Sequence, residues 1–353
     1  MTSAAYAVPN INPKDVLNGL KGFHGLRVLV VGDLFLDEYI ESEMYEISKE
    51  GPIPVVRFES KTQLAGAAGN LASSIRNLGG QVSVVGLVGN DANGRILTSQ
   101  LRRKGIRTKE VISCTKQPTL TYTKFRARVE NTPSKEILRM DVLPIAPLSA
   151  QMERRVIAAV RREAKNVDAI IVLDQIEHLI SDRLLKELPA IAKKSSALLH
   201  GSSRDRIGAF SEFDLLTPND REACSAVGLP VEEVVKAGQT LKRRGRHKQI
   251  MLTLGAQGME LFPHRGTAER IPSVATDVQD VTGAGDAVSS VTVLGNVLGW
   301  DLKTLAWTAS LAASIAIAHV GTHHVTLAEL RARIRSEILS LSSTPTVTKR
   351  RNS

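Results

Sequence analysis

The chain has 353 residues, 42% hydrophobic and 23% charged, with a net charge of +10. That composition suits a soluble globular protein with a sizeable core, in one large domain or two smaller ones. Two cysteines, Cys114 and Cys224, exclude a disulfide framework and point to a reducing compartment, so a cytoplasmic location is expected. The basic excess sits in short clusters such as Arg102-Arg103-Lys104 and Lys242-Arg243-Arg244, several near expected helix ends, where cations suit the dipole. No zinc-finger spacing or other nucleic-acid motif accompanies them, and aromatics are only 4%, so no nucleic-acid partner is expected. Met1–Pro9 shows no signal peptide. The most apolar run, Leu305 to Val320, is shorter than the roughly 20 residues a membrane span requires, so it reads as a buried helix and no membrane partner is expected.

In chain order, residues 1–25 read as a loosely patterned leader. Arg27 to Val31 is a short apolar run ending in Gly32-Asp33, as in a buried strand of a parallel sheet, with Asp37 a few residues beyond its carboxyl end. Residues 39–60 change to β-branched and alternating text with prolines, which predicts a small antiparallel element with exposed edges. Leu64 to Asn70 leads a helix that ends near Leu78, where Gly79-Gly80 stops it. Val82 to Gly86 predicts a strand, Gly86 to Asp91 the turn after it, and Gly94 to Lys104 a helix. Residues 119–128 and 136–140 read as further exposed strands, paired with those of 39–60. From Ser149 strand and helix alternate again, through the strands 169–173, 197–199, 215–217, 250–253 and 259–262. Such alternation implies a mostly parallel sheet with right-handed crossovers. Residues 26–340 then form the main domain, and 341–353, rich in Ser, Thr and basic residues, a disordered tail.

The chain is organised around Gln279 to Ala287, in which Gly283-Ala284-Gly285-Asp286 opens a helix of small residues. Backbone N–H groups at a helix start lack intrahelical partners and carry the positive end of the dipole, and glycines let an anion approach them closely. Asp286 beside a bound phosphate would only repel it, unless it accepts a proton from an attacking hydroxyl. A glycine turn with an acidic first helical turn is the alternative for those residues alone. Asn219 and Glu222 can likewise be an N-cap and its N3 partner.

Together the motifs resemble the ribokinase-like, PfkB-type carbohydrate kinases over residues 26–335. Asp37, Gly66…Asn70, Gly86 to Gly94, Asn219-Asp-Arg-Glu222 and Asp280 to Asp286 carry the resemblance, in this order and spacing. Within that family the chain is most similar to the D-glycero-β-D-manno-heptose-7-phosphate kinases. The segments are Val31–Asp37, Glu50–Val56, Thr123–Arg126, Leu138–Asp141, Leu216–Asn219 and Asp280–Asp286. The resemblance implies an α/β fold, with a mostly parallel sheet between helix layers and a small β lid built from strands 39–60 and 119–141. It implies phosphoryl transfer from ATP, with Mg²⁺, to a hydroxyl of a sugar or sugar phosphate, heptose 7-phosphate being the best single candidate. Another acceptor, or a non-catalytic sugar- or nucleotide-binding role, are the alternatives.

The same resemblance implies residue roles. Asp286 would be the general base, and Gly283, Ala284 and Gly285 the anion hole. Asp37, Gly66 and Asn70 would face the sugar. Lys124 and Arg126, on a lid strand, are candidates for gripping a substrate phosphate; strand-edge charges are the other reading. Thr253, Gly255 and Gly258 would lie along the nucleotide, although a plain turn explains the glycines. Asn219 and Glu222 would act on Mg²⁺, Glu222 through water. Lids of this family often pair between subunits, so a homodimer through the lid is expected. Three departures stand out: Gly66-Ala67 replaces a glycine pair, and Asp174 to His178 and His200 to Arg204 differ from the heptose kinases at strand ends.

Overall fold

The β-branched run after Leu26 has no polar face and no length for a helix, so it can only be a strand covered on both sides. In the computed structural model, which describes residues 11–343 apart from 130, 131, 177 and 276, that run is β1 (Arg27–Gly32). It continues through Asp33 into β2 (Leu34–Ile47), which turns back as β3 (Pro54–Ala67). Then follow β4 (Gln81–Gly89), β5 (Val111–Cys114), β6 (Leu120–Arg128) and β7 (Lys135–Val142). The second half adds β8 (Ala169–Asp174), β9 (Leu198–Ser203), β10 (Leu215–Leu216), β11 (Gln249–Thr253), β12 (Met259–Phe262) and β13 (Glu269–Ile271). The helices are α1 (Pro13–Gly19), α2 (Ala68–Asn77), α3 (Ala92–Arg103), α4 (Ala150–Glu163) and α5 (Asp182–Ser195), then α6 (Asp220–Val227), α7 (Val234–Gly245), α8 (Ala284–Val297), α9 (Leu302–Ile317) and α10 (Leu327–Ser343).

The central sheet runs β13-β12-β11-β10-β9-β8-β1-β4-β5, parallel except where β12 pairs with β11 and β13. Its two faces bury separate cores. Val28, Val30 and Val84 point towards α2, α8 and α9, with Leu71, Val291 and Leu305 fully buried. Leu29, Val31 and Val172 point the other way, towards Val160, Leu184 and Leu241 of α4, α5 and α7. Of the run Leu305 to Val320, expected as a buried helix, the part up to Ile317 lies in α9, whereas Val320 is exposed beyond the helix end. No helix among the described residues is long and apolar enough to cross a membrane.

A second sheet, β3-β2-β6-β7, stands beside the first. It is the expected lid, but it starts earlier, at Leu34, and is not wholly antiparallel: β2 and β6 run parallel, Tyr39 opposite Lys124 and Glu41 opposite Arg126. Leu64–Ala67, expected to lead a helix, is still strand, because it pairs along β2 down to Leu34. The expected turn at Gly86 is strand as well, since β5 pairs with Gly86–Gly89. The Asp91 carboxylate caps α3 through Gly94 N–H (2.8 Å) and also accepts from Thr119 N–H (2.8 Å) and Oγ1 (2.6 Å). Asp91 therefore joins the end of the central sheet to β6.

The expected leader is not loose over its described part. Asn12 caps α1, and Val16, Leu20 and Phe23 are buried, Phe23 against Trp300 at 5.4 Å between ring centroids. At the other end α10 reaches Ser343; the rest of the expected tail, like residues 1–10, lies outside the described residues.

Candidate active site

Strands of a parallel sheet deliver their carboxyl ends to one edge, and ligands bind there. On that edge a cavity of about 270 Å³ is lined by Asp37, Asn70, Tyr122, Lys124, Arg139, Gln175, Arg204, Thr282, Gly283 and Asp286, among others. Roomier surface grooves, such as one of about 760 Å³ between α4 and α5, are lined by Arg161, Lys165 and Lys194 and face no helix start. The chemistry converges in the smaller cavity.

Its floor is the start of α8. Gly283 takes the N-cap position at φ 84°, a left-handed conformation that glycine adopts without strain. Ala284 N–H leans on Val281 O at 3.3 Å, while the N–H groups of Gly285 and Asp286, in the first turn, have no intrahelical partner. Asp280 holds the preceding loop: its carboxylate accepts from Thr282 N–H (2.9 Å), Thr282 Oγ1 (2.7 Å) and Gly321 N–H (2.9 Å). These bonds keep its carboxyl below the usual range against the opposing effect of burial.

Asp286 accepts a hydrogen bond from Asn70 Nδ2. Burial in the cavity wall pushes its carboxyl up to about 6; the Asp37 charge adds to the rise and the Asn70 bond opposes it. Asn70 is buried at the start of α2, and its Oδ1 has no hydrogen-bond partner among the described residues. A buried carbonyl without a donor carries a desolvation cost, which a ligand hydroxyl in the cavity would remove. Burial also pushes Asp37 up, with Lys124 and Arg139 pulling its carboxyl the other way.

Gly66 keeps its place for Asp37 and not directly for a ligand: a Cβ there would fall 2.5 Å from Asp37 Oδ2. Ala67 takes φ 46° and ψ −121°, strained for any residue with a Cβ, where the family's pattern has glycine.

Lys124 lies 4.9 Å from the centroid of the Tyr39 ring and 3.4 Å from its hydroxyl, on the cavity wall. Arg126, expected beside it, lies outside that lining. The strand register sets it opposite Glu41, with which it pairs at 3.0 Å, and it also donates to Ser134 O at 3.3 Å. Arg139, the cross-strand partner of Lys124, is the second cation of the lining, stacked 4.0 Å over Tyr122 and forked onto Asp141 at 2.6 and 2.9 Å.

The altered strand ends also meet here. Gln175 turns its amide oxygen to Arg204, accepting from Nε at 3.2 Å. Ser203 donates to the buried Asp174 carboxylate at 3.1 Å. The buried Asp33 carboxylate gathers the N–H groups of Gln175, Ile176 and Leu179 at 3.0–3.1 Å, fixing the loop after β8. His200 is not at a strand end: it is buried in β9 beside Asn296 at 2.9 Å, and burial lowers it to about 4. Glu177 lies outside the described residues.

Beyond β10, at the start of α6, Asn219 and Glu222 form a reciprocal capping box, Glu222 N–H to Asn219 Oδ1 at 2.8 Å and Asn219 N–H to Glu222 Oε2 at 2.9 Å. The capping reading of this pair is therefore realised, and it leaves Glu222 Oε1 free of that box. Burial pushes the Glu222 carboxyl up to about 7, while the Arg204 charge pulls it down. Thr253 bridges to Asn219 across the sheet edge. Gly255 (φ 56°) and Gly258 (φ 90°) make the turn after β11, and a Cβ on Gly258 would overlap Ile271 O. Geometry alone thus accounts for these two glycines.

Tyr122, Arg139, Gln175 and Arg204 escaped the sequence reading as site residues. The signal for Arg139 was present in the Leu138–Asp141 segment, and for Arg204 in the departing segment it closes. Neither points at the cavity without the strand register.

Comparison with known proteins agrees with this geometry. A profile of the pfkB family carbohydrate kinases matches residues 27–328. The bifunctional protein HldE of Nitrobacter winogradskyi is 33% identical over 317 residues, covering 88% of this chain and 64% of that protein; the HldE of Trichlorobacter lovleyi is 32% identical over 316 residues, covering 88% and 63%. The chain thus spans a little under two thirds of the length of these relatives. Among solved structures, phosphofructokinase-2 from Escherichia coli in complex with potassium superposes with a TM-score of 0.71 at 18% identity, over 89% of this chain and 99% of that one. Arabidopsis thaliana ribokinase complexed with ribose and ATP gives 0.65 at 19%, over 89% and 98%. The profile match over residues 27–328 and the ribokinase-like sheet agree: the chain belongs to the pfkB family of carbohydrate kinases.

Proposed function

We propose that this protein transfers the γ-phosphoryl group of ATP to a hydroxyl of a sugar phosphate, heptose 7-phosphate being the acceptor and the 1-hydroxyl the site. The observation that carries the reading is the Asn70–Asp286 pair at the start of α8, both residues lining a cavity whose lid side is cationic, with the buried Asn70 Oδ1 unpartnered among the described residues. The acceptor hydroxyl would donate to Asp286, which takes its proton as the new P–O bond forms. Gly283, Ala284 and Gly285 shape the floor on which the transferring phosphoryl rests, its growing charge met by the first-turn N–H groups. Asn70 and Asp37 would bind further hydroxyls. Lys124 and Arg139 would hold the acceptor's own phosphate, a role better suited to Arg139 than to Arg126, the residue expected from the sequence.

For the nucleotide, Asn219, Thr253 and the Gly255–Gly258 turn line the adjoining edge of the sheet. Glu222 fits a water-mediated Mg²⁺ role, since Oε1 lies outside the capping box and hard cations prefer oxygen ligands and retain their waters. When bound, Mg²⁺ supplies charge neutralisation between the phosphates. The lid would exclude water, which otherwise competes as acceptor.

The lid also supports the homodimer reading. Phe58, Leu138 and Met140 on its edge strands are 63%, 58% and 52% exposed, a cost in water that a second copy's lid would relieve. Leu138→Lys should then convert a dimer into a monomer by light scattering, and an unchanged mass would remove the lid as the interface. A cytoplasmic location fits a substrate and nucleotide made inside the cell.

The test is ADP release across a panel of sugar phosphates, their dephosphorylated counterparts and nucleosides. The reading expects kcat/KM at least about tenfold higher for phosphorylated acceptors, the worth of one charge-assisted contact. A preference for a free sugar or a nucleoside would move the acceptor to another class. ATP binding without turnover on any acceptor would leave a binding protein.

A further inference from the structure

Between the end of α9 and the first turn of α10, on the segment that bonds to Asp280 through Gly321, His319, His323 and Glu329 place one ligand atom each within 4.8 Å of one another. We propose that these three side chains form a site for a borderline transition-metal cation of the Zn²⁺ class, distinct from any Mg²⁺ that accompanies the nucleotide.

Two of the three ligands are already oriented by neighbours outside the set. His319 Nδ1 lies 3.0 Å from Ile315 O, which fixes a proton on Nδ1 and leaves the Nε2 lone pair free. A backbone carbonyl in that position is the usual partner that orients a metal-binding imidazole. Glu329 uses Oε2 to cap α10, accepting from Thr326 N–H and Oγ1, both at 2.7 Å. The cap turns Oε1 towards His323 Nε2, 3.0 Å away. Four-coordinate Zn²⁺ with bonds of about 2.0–2.1 Å sets its ligand atoms about 3.3 Å apart, so this pair is close to one edge of the tetrahedron. The His319 and His323 rings stack at 3.9 Å between centroids and 11° between planes, and because an imidazole lone pair lies in its ring plane, one ring turns about its side-chain bonds to bring both nitrogens onto one ion. The capping box and the hydrogen bond from His323 account for both Glu329 oxygens, but neither accounts for His319 standing in the same cluster. Exposed His319 leaves the fourth position to water.

The ligand set selects the metal. Two imidazoles and one carboxylate suit Zn²⁺, Co²⁺ or Ni²⁺, whereas Mg²⁺ demands six oxygens and sheds water reluctantly. Between the two histidines, Gly321 donates to Asp280 and Thr322 lines the cavity, so an occupied site would pin the segment that braces the loop Asp280 to Gly283.

The experiment is titration of untagged, chelator-stripped full-length protein with Zn²⁺ by calorimetry, in millimolar Mg²⁺, with Co²⁺ absorption as a second reading. One Zn²⁺ per chain is expected, with the visible bands of a four-coordinate centre for Co²⁺. His319→Ala and His323→Ala should each weaken binding by at least the roughly 10- to 100-fold that loss of a mere outer-shell partner causes. Glu329→Gln keeps the capping box, so weaker Zn²⁺ binding at unchanged Tm is expected of it. Absence of uptake by the wild-type protein, or equal uptake by the folded His319→Ala and Glu329→Gln variants, would overturn the assignment.

Discussion

Replacing Asp286 by Asn keeps the size of the side chain and an acceptor for Asn70 Nδ2, but removes the group that can take a proton. A positioned general base is worth roughly 10²–10⁴ in rate, about 2.7–5.5 kcal/mol of barrier, so kcat should fall by that factor while ATP affinity holds or improves. The elevated carboxyl adds two signatures. In the wild type, kcat/KM should lose activity as pH falls through about 6, because the protonated acid no longer accepts; the variant's residual rate should lack that limb. For stability, a folded pKa above the ordinary 3.8 means that ionisation costs the native state. The cost is absent below about pH 4 and complete above about 6. Two units at 1.36 kcal/mol each bound it at about 3 kcal/mol, less in practice because Asp286 keeps part of its surface in water. Asp286→Asn should therefore melt above the wild type at pH 8, with the gap closing towards pH 4. The assays are steady-state turnover, calorimetric ATP binding and thermal melts over pH 4–8. Near-normal kcat in the variant would refute the catalytic role, and an unchanged pH limb would show that another group sets it.

Further outcomes separate the residues of the lid and the sheet edge. Lys124→Ala and Arg139→Ala should each raise KM for a phosphorylated acceptor by roughly 10- to 150-fold with KM for ATP nearly constant, whereas Arg126→Ala, which breaks the Glu41 pair and the bond to Ser134 O outside the cavity, should leave acceptor KM within a few-fold. Equal effects from Arg126 and Arg139 in the kinetic comparison would contradict the register argument. Glu222→Gln retains the capping partner, so Tm at pH 8 should hold or rise while half-saturating Mg²⁺ moves up; an unchanged Mg²⁺ titration would confine Glu222 to its cap. Ala67→Gly should gain about 1 kcal/mol, strain of 1–3 kcal/mol relieved against 0.4–1 kcal/mol of added unfolded-state entropy, read as a higher urea midpoint. A lower midpoint would mean that Ala67 is not strained.

What the sequence disclosed and what it concealed divide along a physical line. The Gly283–Asp286 helix start, the Asn219–Glu222 cap and the buried strands are written in neighbouring residues, so local chemistry makes them legible. Arg139 enters the cavity only because β7 pairs with β6 in one register, and Arg126 leaves it because β2 offers Glu41 opposite. The parallel pairing of β2 with β6, the short strands β5 and β13, and the convergence of Gln175 with Arg204 likewise depend on contacts distant in the chain. Gly66 and Ala67 were visible as a departure, but that one makes room for Asp37 and the other bears strain is a statement about backbone angles.

The central claim is that the cavity sets a hydroxyl of a phosphorylated sugar against Asp286 and the phosphoryl group against the start of α8. Phosphorus NMR of the reaction of the purified chain with ATP, Mg²⁺ and heptose 7-phosphate tests it most directly. The account predicts loss of the γ-phosphate signal, growth of ADP and one new phosphate ester coupled to the anomeric proton, with the 7-phosphate retained. ADP appearing with only inorganic phosphate, or an untouched acceptor under conditions where ATP binds, would contradict it.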